Sequence, residues 1–528
     1  MTTELELNLI RRIAMGDILR RRARDRGSRE AIVEFLAGER RALSFAEFNA
    51  RVNQWVRGLR ARGLCQGDRV ALLGGNTSEF LIALWGCFKG GFVAVPINFL
   101  QNPDDVGYNI HHSGARAAFA DDRLHPLVDA VTADLGELVR GTLAGAGSAR
   151  YPALATFLAG QDAAEVDDIL IDDDLAQIMY TSGTTARPKG VMLSHKNLFL
   201  SSLNAVLSIG SNKNSTSHPA VLPLFHITAM MFSLAATHMG GKTVLQNGFN
   251  PDALLGLFES ERLEFAILLP LMWRALLASP ALPRHDYSSL RLGMYGMAPI
   301  DAPTLAKLKE AFGCTFTTGS GQTEIAAVAT VVDPEWAGPR EGNIWGDGSI
   351  LSDQAVMDDQ GNLLPPGEIG EVVWRSPQVM LGYFHNDEAT AEARAHGWHH
   401  SGDIGSLDHD RQFCFVDRKK DIVKSGGENV SSVKVESAIL ACPGVANVGV
   451  IGLPHEYWGE AVTAVVAAKP GASLDEHAVI AHCKQELGGF EVPKKVVVLD
   501  ELPMTATGKV KKHLLRNDYR DLYRGEGK

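Results

Sequence analysis

The segment from Tyr180 to His195, YTSGTTARPKGVMLSH, combines glycines, small hydroxyl residues and two cations behind an apolar run. Glycine permits a close backbone approach, Ser and Thr donate hydrogen bonds, and Lys189 supplies positive charge, so the segment suits a polyphosphate. The Walker A pattern GxxxxGK[ST] is absent, and the segment that begins at Gly319 does not match GxGxxG. The sequence therefore predicts another type of phosphate loop, formed by Thr181, Ser182, Gly183, Thr184, Thr185 and Lys189.

Two further segments carry carboxylates that could serve the same ligand. Thr323 and Glu324 close the segment TTGSGQTE, where a hydroxyl and a carboxylate can hold a phosphate oxygen and the Mg²⁺ that neutralises it. Asp403, in SGDIG, can accept hydrogen bonds from both hydroxyls of a ribose, with Arg418 as its companion. Outside a binding site, such residues are ordinary solvated surface or a surface ion pair. From the residues alone the surface interpretation is favoured, and a nucleotide site is the alternative.

Apolar runs and helical patterns alternate in the elements that must position these residues. From Arg69 to Asn98, the runs RVALLGG, SEFLIALWGCFKGG and FVAVPIN predict strand, amphipathic helix and strand. The alternation returns at AQIMYTSG, LEFAILLP and LRLGMYG, and Asp301 is placed to cap a helix that runs to about Phe312. The predicted fold class is therefore α/β, with a large N-terminal domain of mostly parallel sheets flanked by helices.

The pattern changes twice beyond this body. From Val372 to Phe415 the chain is richer in Gly, His and Asp, which predicts shorter β structure at the edge of the large domain. After the charged run DRKKD, residues 417–421, the alternation restarts on a smaller scale and predicts a small α+β domain. We therefore predict an N-terminal domain at residues 1–417 and a C-terminal domain at residues 418–528.

Composition excludes several classes of function. The 528 residues carry a formal net charge of -11 that is spread along the chain, which argues against nucleic acid as a partner. The N-terminus lacks the apolar stretch of a signal peptide, and no segment is long and apolar enough to span a bilayer. We therefore expect a cytoplasmic protein without an integral membrane segment. The six cysteines form no CxxC pair, so neither a zinc site nor a disulfide framework is indicated.

The order and spacing of these segments resemble one family. The loop at Tyr180–His195 is similar to the phosphate-binding signature of the adenylate-forming superfamily of acyl-CoA synthetases, adenylation domains and luciferases. The resemblance covers nearly the whole chain and continues through GMAP, TGSGQTE, GYF, GWHHSGD, DRKKDIVKSGGENVSS and LPMTATGKVKK. Within the superfamily the chain most resembles a fatty acid–CoA ligase. The resemblance implies that a carboxylate and ATP give acyl-AMP and pyrophosphate, and that coenzyme A then displaces AMP.

The resemblance also implies roles for single residues and for ATP, Mg²⁺ and coenzyme A. Glu324 and Thr184 are the implied magnesium ligands, and Lys509 bridges the substrate carboxylate and the phosphate during adenylation. That step needs a cation, because attack on the α-phosphate places charge on the non-bridging oxygens and the departing pyrophosphate. The residues implied to bind nucleotide or thiol are Thr181, Ser182, Gly183, Thr184, Thr185, Lys189, Gly296, Ala298, Pro299, Gly319, Ser320, Gly321, Gln322, Thr323, Asp403, Arg418, Lys420, Lys424, Gly426, Gly427 and Glu428.

In this family the C-terminal domain rotates between the two steps, and the resemblance implies a hinge at Lys420. One active site must first exclude water around ATP and then admit a bulky thiol. The rotation withdraws Lys509 and presents the SGGEN segment, Ser425 to Asn429, to form a tunnel for the thiol. Gly426 and Gly427 suit that tunnel because a side chain there could obstruct a pantetheine arm. Paired glycines are also typical of a simple tight turn.

The segment PLFHIT, Pro223 to Thr228, lies beside the acyl group in the family. Relatives that bind amino acids carry Asp where this chain has His226, and an imidazole is a poor counter-ion for an ammonium group. We therefore expect an acid without an α-amino group, first a medium- or long-chain fatty acid, with Met230 and Met231 as pocket wall or ordinary core. The alternatives are an aryl or other non-amino carboxylate, a stand-alone enzyme that loads an acyl carrier protein, and a non-catalytic regulator that binds nucleotide or acyl ligand. Monomers and homodimers both fit the family.

Three positions depart from the family's pattern. Ala186 replaces a usual glycine in the phosphate loop, and Ser320 replaces an aromatic residue that stacks on adenine. Loss of that aromatic face weakens nucleotide binding by about 0.5 to 1.5 kcal/mol. The segment EGNIWGDGSILSDQ, residues 341–354, lacks the GSxGxP form and leaves one wall of the acyl pocket unpredicted. The charged residues Glu324, Asp403, Arg418 and Lys509 are all retained.

Overall fold

The structure, a computed structural model, describes residues 3–36, 38–181, 187–210, 217–296, 300–333, 343–504 and 509–524. The chain divides into two units with separate hydrophobic cores. The first unit comprises residues 1–340, 345–354 and 374–399, and the second comprises residues 341–344, 355–373 and 400–528. Both units combine helices with sheets, which confirms the predicted α/β fold class.

The elements of the first unit follow the alternation seen in the sequence. Its helices are α1 (Glu4–Arg11), α2 (Gly16–Arg26), α3 (Phe45–Arg60), α4 (Ser78–Gly90), α5 (Pro103–Ser113), α6 (His125–Val131), α7 (Leu154–Leu158), α8 (His195–Ser208), α9 (Ile227–Met239), α10 (Pro251–Ser260), α11 (Pro270–Ala278), α12 (Ala302–Phe312) and α13 (Asp387–Glu392). Its strands are β1 (Glu30–Leu36), β2 (Glu39–Ser44), β3 (Arg69–Leu73), β4 (Val93–Pro96), β5 (Ala115–Ala120), β6 (Val139–Thr142), β7 (Leu175–Thr181), β8 (Lys189–Ser194), β9 (His218–Ala220), β10 (Thr243–Leu245), β11 (Phe265–Leu268), β12 (Leu292–Tyr295), β13 (Thr315–Ser320), β14 (Thr330–Val331), β15 (Asp347–Gly348) and β18 (Gly382–Tyr383).

A seven-stranded sheet in the order β18-β8-β7-β4-β3-β5-β6 forms the main scaffold of this unit. Strands β3, β4, β5 and β6 pair in parallel, as the βαβ pattern predicts, whereas β7 and β8 form an antiparallel hairpin. Helix α4 is almost entirely buried because it covers this sheet, and Thr77 caps its N-terminus. The hairpin β7–β8 is thereby anchored in the interior of the unit.

Two smaller sheets complete the first unit, in the orders β2-β1-β10-β9 and β11-β12-β13-β14-β15. Strands β11, β12 and β13 are parallel, so their carboxyl ends meet at one edge. Asp301 caps α12 by accepting a hydrogen bond from Thr304 N, which confirms the helix start predicted from the sequence. The segments that begin at Gly296 and Gly321 both leave from this edge.

The second unit carries the small-scale alternation predicted for the C-terminal part. Most residues of the sheet β16-β17-β19-β20 belong to it, and a second sheet has the order β22-β21-β24-β23 with β25 beside β24. Its core consists largely of valines from these strands and helices. The elements are β16 (Asp353–Met357), β17 (Gly370–Arg375), β19 (His399–Leu407), β20 (Phe413–Arg418), β21 (Val423–Ser425), β22 (Glu428–Val430), β23 (Val445–His455), β24 (Gly459–Ala468), β25 (Lys495–Leu499), α14 (Ser432–Ala441), α15 (Glu476–Glu486) and α16 (Lys512–Asp518).

The second unit begins earlier in the chain than the domain boundary expected at residue 418. Residues 355–373 belong to it because β16 and β17 join the sheet that carries β19 and β20, and Ile344 forms an isolated bridge with Cys414 of β20. The functional boundary and the hinge at Lys420 stay predictions. Within the described residues, no helix is both long and apolar enough to cross a membrane.

Candidate active site

The predicted phosphate-binding segment lies between the two strands of a β-hairpin. Strands β7 and β8 run antiparallel, and Thr181 pairs with Lys189 at the end of the ladder. Most residues within both strands are buried, so the hairpin has a fixed place in the large sheet. The connecting residues Ser182, Gly183, Thr184 and Thr185 lie outside the described part of the chain. Thr181 and Lys189 therefore stand opposite one another at the base of the predicted loop.

Lys189 and Glu324 are connected through one aromatic side chain, Tyr383. The Tyr383 hydroxyl donates a hydrogen bond of 3.0 Å to Glu324 Oε1. Lys189 Nζ lies 4.9 Å from the centroid of the same ring, which is a cation–π contact. Burial raises the pKa of Tyr383, and the Glu324 charge raises it further, so the hydroxyl keeps its proton and acts as donor. One side chain thus contacts both the cation and the carboxylate predicted to serve MgATP.

A sharply turned backbone carries Glu324. Thr323–Ile325 form a 3₁₀ turn, and Ala326 and Ala327 follow with φ angles of 52° and 100°. Gly321 has to be glycine here, because a Cβ would lie 1.4 Å from the Ala327 carbonyl oxygen. Positive φ at a non-glycine residue costs free energy and persists where the surroundings hold it, often at ligand sites. The binding role of Glu324 stays a prediction.

Side chains from two other segments hold this turn in place. The Ser201 hydroxyl donates to the carbonyl oxygen of Ala326. The side-chain amides of Asn204 and Gln378 both donate to the carbonyl oxygen of Val328, at 3.1 and 3.3 Å. Ser201, Asn204 and Gln378 are all buried. The strained backbone next to Glu324 is therefore fixed by buried hydrogen bonds rather than by its own conformational preference.

Gly296 and Gly319 follow neighbouring strand positions. Strands β12 and β13 are parallel, and Tyr295 pairs with Thr318, so the next residue of each strand lies at the same sheet edge. Open α/β sheets bind ligands at the carboxyl ends of their strands. A Cβ on Gly319 would lie 2.2 Å from Thr330 O, which explains the glycine there by close packing. Ala298 and Pro299 lie outside the described residues.

Ser320 occupies the position where the family has an aromatic residue. Its hydroxyl lies 2.8 Å from Thr330 Oγ1, and its backbone N–H donates to the same oxygen at 3.0 Å. Thr330 Oγ1 donates in turn to Trp345 O at 2.5 Å. The Ser320 side chain therefore belongs to the pairing of β13 with β14 and offers no ring face to a base. The weaker nucleotide binding expected from this substitution stays a prediction.

His226 is the N-cap residue of α9 and lies beside an aromatic pair. Its ring centroid is 4.8 Å from that of Phe225, and Phe225 packs edge-on against Phe99 at 5.3 Å. Met230 and Met231, on the first turns of α9, are fully buried in the main core of the first unit. The structure thus places the two methionines in the core, and the three rings mark the surroundings of His226.

Asn76 organises the segment that precedes His226, and the sequence pattern does not single it out. Asn76 is buried, and its Nδ2 donates to Ala220 O at 2.8 Å and to Leu222 O at 3.0 Å. Its Oδ1 accepts from Leu224 N at 2.9 Å. The sequence offers one signal for it, an amide residue that follows the two glycines after β3 in GGNTSEF. Asn76 therefore fixes the backbone that leads into the predicted acid-binding segment.

In the second unit, Asp403 and Arg418 face one another on neighbouring strands. They are register partners on the antiparallel strands β19 and β20, and Arg418 Nε lies 3.5 Å from Asp403 Oδ1. Asp403 is buried, with 3% exposure, whereas the Arg418 side chain is 43% exposed. The two residues predicted to act together thus lie side by side. Their role toward a ribose stays a prediction.

Lys509 is electrostatically coupled to the same pair. The pKa of Lys509 is lowered to about 8, mainly by burial of its ammonium and also by the charges of Arg418 and Lys420, against the raising effect of Asp403. The Lys509 residue as a whole is nevertheless exposed to solvent, so the desolvation concerns its ammonium end and not the entire side chain. The second unit therefore gathers three cations near one buried carboxylate, and such a group can bind phosphate oxygens.

The SGGEN segment is the turn of a second hairpin. Strands β21 and β22 are antiparallel, Ser425 pairs with Glu428, and Lys424 precedes the turn on an exposed position. Gly426 and Gly427 have φ angles of 61° and 89°, which favour glycine and match a two-residue hairpin turn. A Cβ on Gly426 would lie 3.0 Å from the Trp458 ring, whereas one on Gly427 would meet open space. The backbone alone thus explains both glycines, and the predicted thiol tunnel stays a prediction.

Two family models match the chain. The model described as AMP-binding enzyme matches residues 19–384, and the model described as AMP-binding enzyme C-terminal domain matches residues 434–509. The chain therefore belongs to the AMP-binding enzyme family, and the predicted resemblance to adenylate-forming enzymes is confirmed.

Individual relatives agree with this assignment. The chain is 36% identical over 479 residues to a feruloyl-CoA synthase of Amycolatopsis sp, covering 90% of this chain and 94% of that protein. It is 32% identical over 516 residues to a long-chain-fatty-acid–CoA ligase of Mycobacterium tuberculosis, covering 96% and 98%. The crystal structure of ATP-bound MatB from Rhodopseudomonas palustris matches with a TM-score of 0.85 and 32% identity, covering 96% of this chain and 100% of that chain. The chain is accordingly an AMP-forming acid–thiol ligase, as predicted.

Proposed function

We propose that this ligase acts on an apolar carboxylic acid without an α-amino group, and that aromatic acids are its first candidate substrates. In the first step a carboxylate oxygen attacks the α-phosphorus of ATP, and pyrophosphate leaves. In the second step the sulfur of coenzyme A attacks the acyl carbonyl carbon, and AMP leaves. The observation that carries the first step is the arrangement of Lys189 and Glu324 around Tyr383 at the base of the phosphate hairpin.

In this proposal Lys189 and the hairpin residues bind the phosphates of ATP, and Glu324 holds Mg²⁺. The donor set fits this ion, because Mg²⁺ usually takes one or two carboxylates together with substrate phosphates. Among the described residues, no group of three or more His, Cys, Asp or Glu could hold a metal on its own. The ion would neutralise charge on the departing pyrophosphate. Thr184, the second predicted ligand, lies outside the described residues.

The second unit contributes the remaining charged groups. Asp403 is assigned to the ribose hydroxyls, because its carboxylate is buried and fixed opposite Arg418. Lys509 supplies the cation that offsets charge developing at the α-phosphate, which requires its protonated form. The Gly426–Gly427 turn is assigned to the thiol step, since it presents an exposed backbone without side chains.

The surroundings of His226 support an aromatic acid. An imidazole is a poor counter-ion for an ammonium group, and the rings of Phe99 and Phe225 offer stacking partners to an aryl substrate. Met230 and Met231 are packed in the core, whereas Phe225 lies beside the His226 ring and packs against Phe99. The similarity to a feruloyl-CoA synthase supports the same acid class.

A medium- or long-chain fatty acid is the second candidate. The similarity to a long-chain-fatty-acid–CoA ligase over 96% of the chain favours it. Methionine side chains are flexible, so Met230 and Met231 can adopt other rotamers and make room for an alkyl chain beside α9. In that case alkyl substrates should outcompete aryl ones.

The deciding experiment measures AMP release from ATP and Mg²⁺ with hydroxycinnamic, benzoic, medium-chain and long-chain fatty acids, each with and without coenzyme A. Turnover that depends on coenzyme A and is highest with aromatic acids is the expected result. Highest turnover with fatty acids would replace the first candidate by the second. Pyrophosphate exchange without any gain from coenzyme A would point to a carrier-protein thiol as the acceptor.

A further inference from the structure

Tyr383 lies where two parts of the phosphate site come together, and none of the catalytic roles above uses it. Its strand, β18, pairs with β8, so that Tyr383 stands opposite Val191, two residues beyond Lys189. The side chain is buried, with 9% exposure. Its backbone N–H donates to Thr390 Oγ1 at 2.9 Å, which fixes the residue from the side of α13. The ring therefore has little freedom to move.

The segment around Tyr383 also holds the backbone of Glu324. Met380 N donates to the Glu324 carbonyl oxygen at 2.8 Å, while the Tyr383 hydroxyl holds the carboxylate. Glu324 is thus tied at both its main chain and its side chain to residues 380–383. Lys189, in contrast, is held through the face of the Tyr383 ring. Two different parts of one side chain serve two different charged groups.

We propose that Tyr383 is a positioning residue that sets the Glu324 carboxylate for Mg²⁺ through its hydroxyl and the Lys189 ammonium for phosphate through its ring. The inference rests on the proposed function of Glu324 and Lys189. Groups that orient a metal ligand typically change metal affinity by about 10- to 100-fold when they are removed. A cation–π contact at a partly exposed site is weaker and corresponds to roughly two- to fivefold in binding.

The test separates the hydroxyl from the ring by two substitutions. Tyr383→Phe removes the hydroxyl and keeps the ring, and Tyr383→Leu removes both. Binding of ATP is measured by calorimetry as a function of Mg²⁺ concentration, and again in EDTA. Tyr383→Phe should raise the Mg²⁺ concentration at half-effect by about tenfold and leave binding in EDTA unchanged. Tyr383→Leu should in addition weaken binding in EDTA by roughly two- to fivefold.

Tyr151→Phe is the matched control. The Tyr151 hydroxyl also donates to a carboxylate, Asp129, at 2.8 Å, and the residue is likewise buried, with 2% exposure. This variant should keep the wild-type Mg²⁺ dependence, because Asp129 is not part of the proposed site. A second variant, Thr390→Val, keeps Tyr383 and removes the acceptor of its backbone N–H, and it should shift the Mg²⁺ dependence in the same direction by a smaller factor.

Glu324→Gln distinguishes a failure of the metal role proposed for Glu324 from a failure of the positioning role proposed for Tyr383. If Glu324→Gln leaves the Mg²⁺ dependence unchanged, the metal role of Glu324 is wrong and the positioning role fails with it. If Glu324→Gln shifts the dependence while Tyr383→Phe and Thr390→Val match Tyr151→Phe, only the positioning role is overturned. In the double variant, Tyr383→Phe should add nothing to Glu324→Gln, because the two act through one interaction.

Discussion

The two units hold their candidate site residues in different ways. In the first unit, Lys189 and Glu324 are half-buried and share Tyr383, and the turn after Glu324 is fixed by buried hydrogen bonds. In the second unit, Lys420 and the Gly426–Gly427 turn are exposed, and Arg418 is paired with Asp403 at a side-chain exposure of 43%. The first set is held by internal contacts, whereas the second set, apart from the buried Asp403, is presented at the surface.

The two units are suited to different steps of the reaction. A rigid, half-buried set suits the phosphates, which are present throughout the adenylation step. The cations of the second unit are suited to a role in adenylation only, because a group that has to leave the site before thioester formation must be able to move. If this division is correct, substitutions in the second unit should separate adenylation from thioester formation. Substitutions around Tyr383 should instead change ATP and Mg²⁺ binding.

Lys509→Ala is expected to give the largest difference between the effects on adenylation and on thioester formation. Loss of a cation at developing charge should lower pyrophosphate exchange by about 10²- to 10³-fold. Thioester formation from supplied acyl-AMP and coenzyme A should stay within a few-fold of wild type, because that step does not use the cation. Both rates are measured on the same preparation.

Lys511→Ala is the control for that substitution, since it removes a lysine two residues further on. It should leave both rates near wild type. Equal loss of both half-reactions in Lys509→Ala would contradict the division of roles. A wild-type exchange rate in Lys509→Ala would show that the cation for adenylation comes from elsewhere.

Asp403→Asn should have the next largest effect. It removes the charge opposite Arg418 and weakens a charged hydrogen-bond acceptor, so the dissociation constant for ATP should rise by about 10- to 100-fold. Asp359→Asn, which removes an exposed ion pair with Lys419 at 2.9 Å, is the control and should change ATP binding little. Unchanged ATP binding in Asp403→Asn would remove Asp403 from the nucleotide site. The measurement is direct titration with ATP.

Much of the fold could be predicted from the sequence because the pattern is local. The apolar runs at β3, β4 and β12 and the cap at Asp301 lie where strand and helix signals place them. The assignment of residues 355–373 to the second unit could not be predicted, since it depends on which sheet they join. Pairing between distant strands is a tertiary property that no local pattern specifies.

The candidate site, like the fold, could be predicted from the sequence only where the pattern is local. Charged residues such as Glu324 and Asp403 stand out because their motifs restrict the chemistry they can do. Asp403 and Arg418 were also expected as companions, and they do pair. Tyr383 and Asn76 do not stand out, because their roles come from what they contact across 59 and 148 residues of sequence. The role of a tyrosine in GYF, or of an asparagine after a strand, can be assigned only when the residues that it contacts in the folded protein are known.

The titration of Lys509 gives a smaller and graded effect. With a pKa near 8, its ammonium is mostly charged at pH 7 and mostly neutral at pH 9, so adenylation should fall by about tenfold over that range. Lys509→Arg keeps its charge throughout and should remove this fall, even though its absolute rate is lower because the two side chains differ in shape. The comparison is the ratio of exchange rates at the two pH values. Equal ratios in both proteins would assign the fall to another group.

The smallest effect on a reaction rate is expected at the Gly426–Gly427 turn. This turn belongs to the exposed residues of the second unit. Alanine at Gly427 meets open space but has to adopt φ near 89°, which costs roughly 1 kcal/mol or about fivefold. Alanine at Gly426 adds a contact with the Trp458 ring at 3.0 Å and should cost more. If the turn contacts the thiol substrate, thioester formation should be slower in both variants while pyrophosphate exchange stays unchanged.

Gly489→Ala, in which the added Cβ also meets open space, is the control. A lower melting temperature with no change in either rate would make the two glycines a structural turn only, and the thiol path would then have to lie elsewhere.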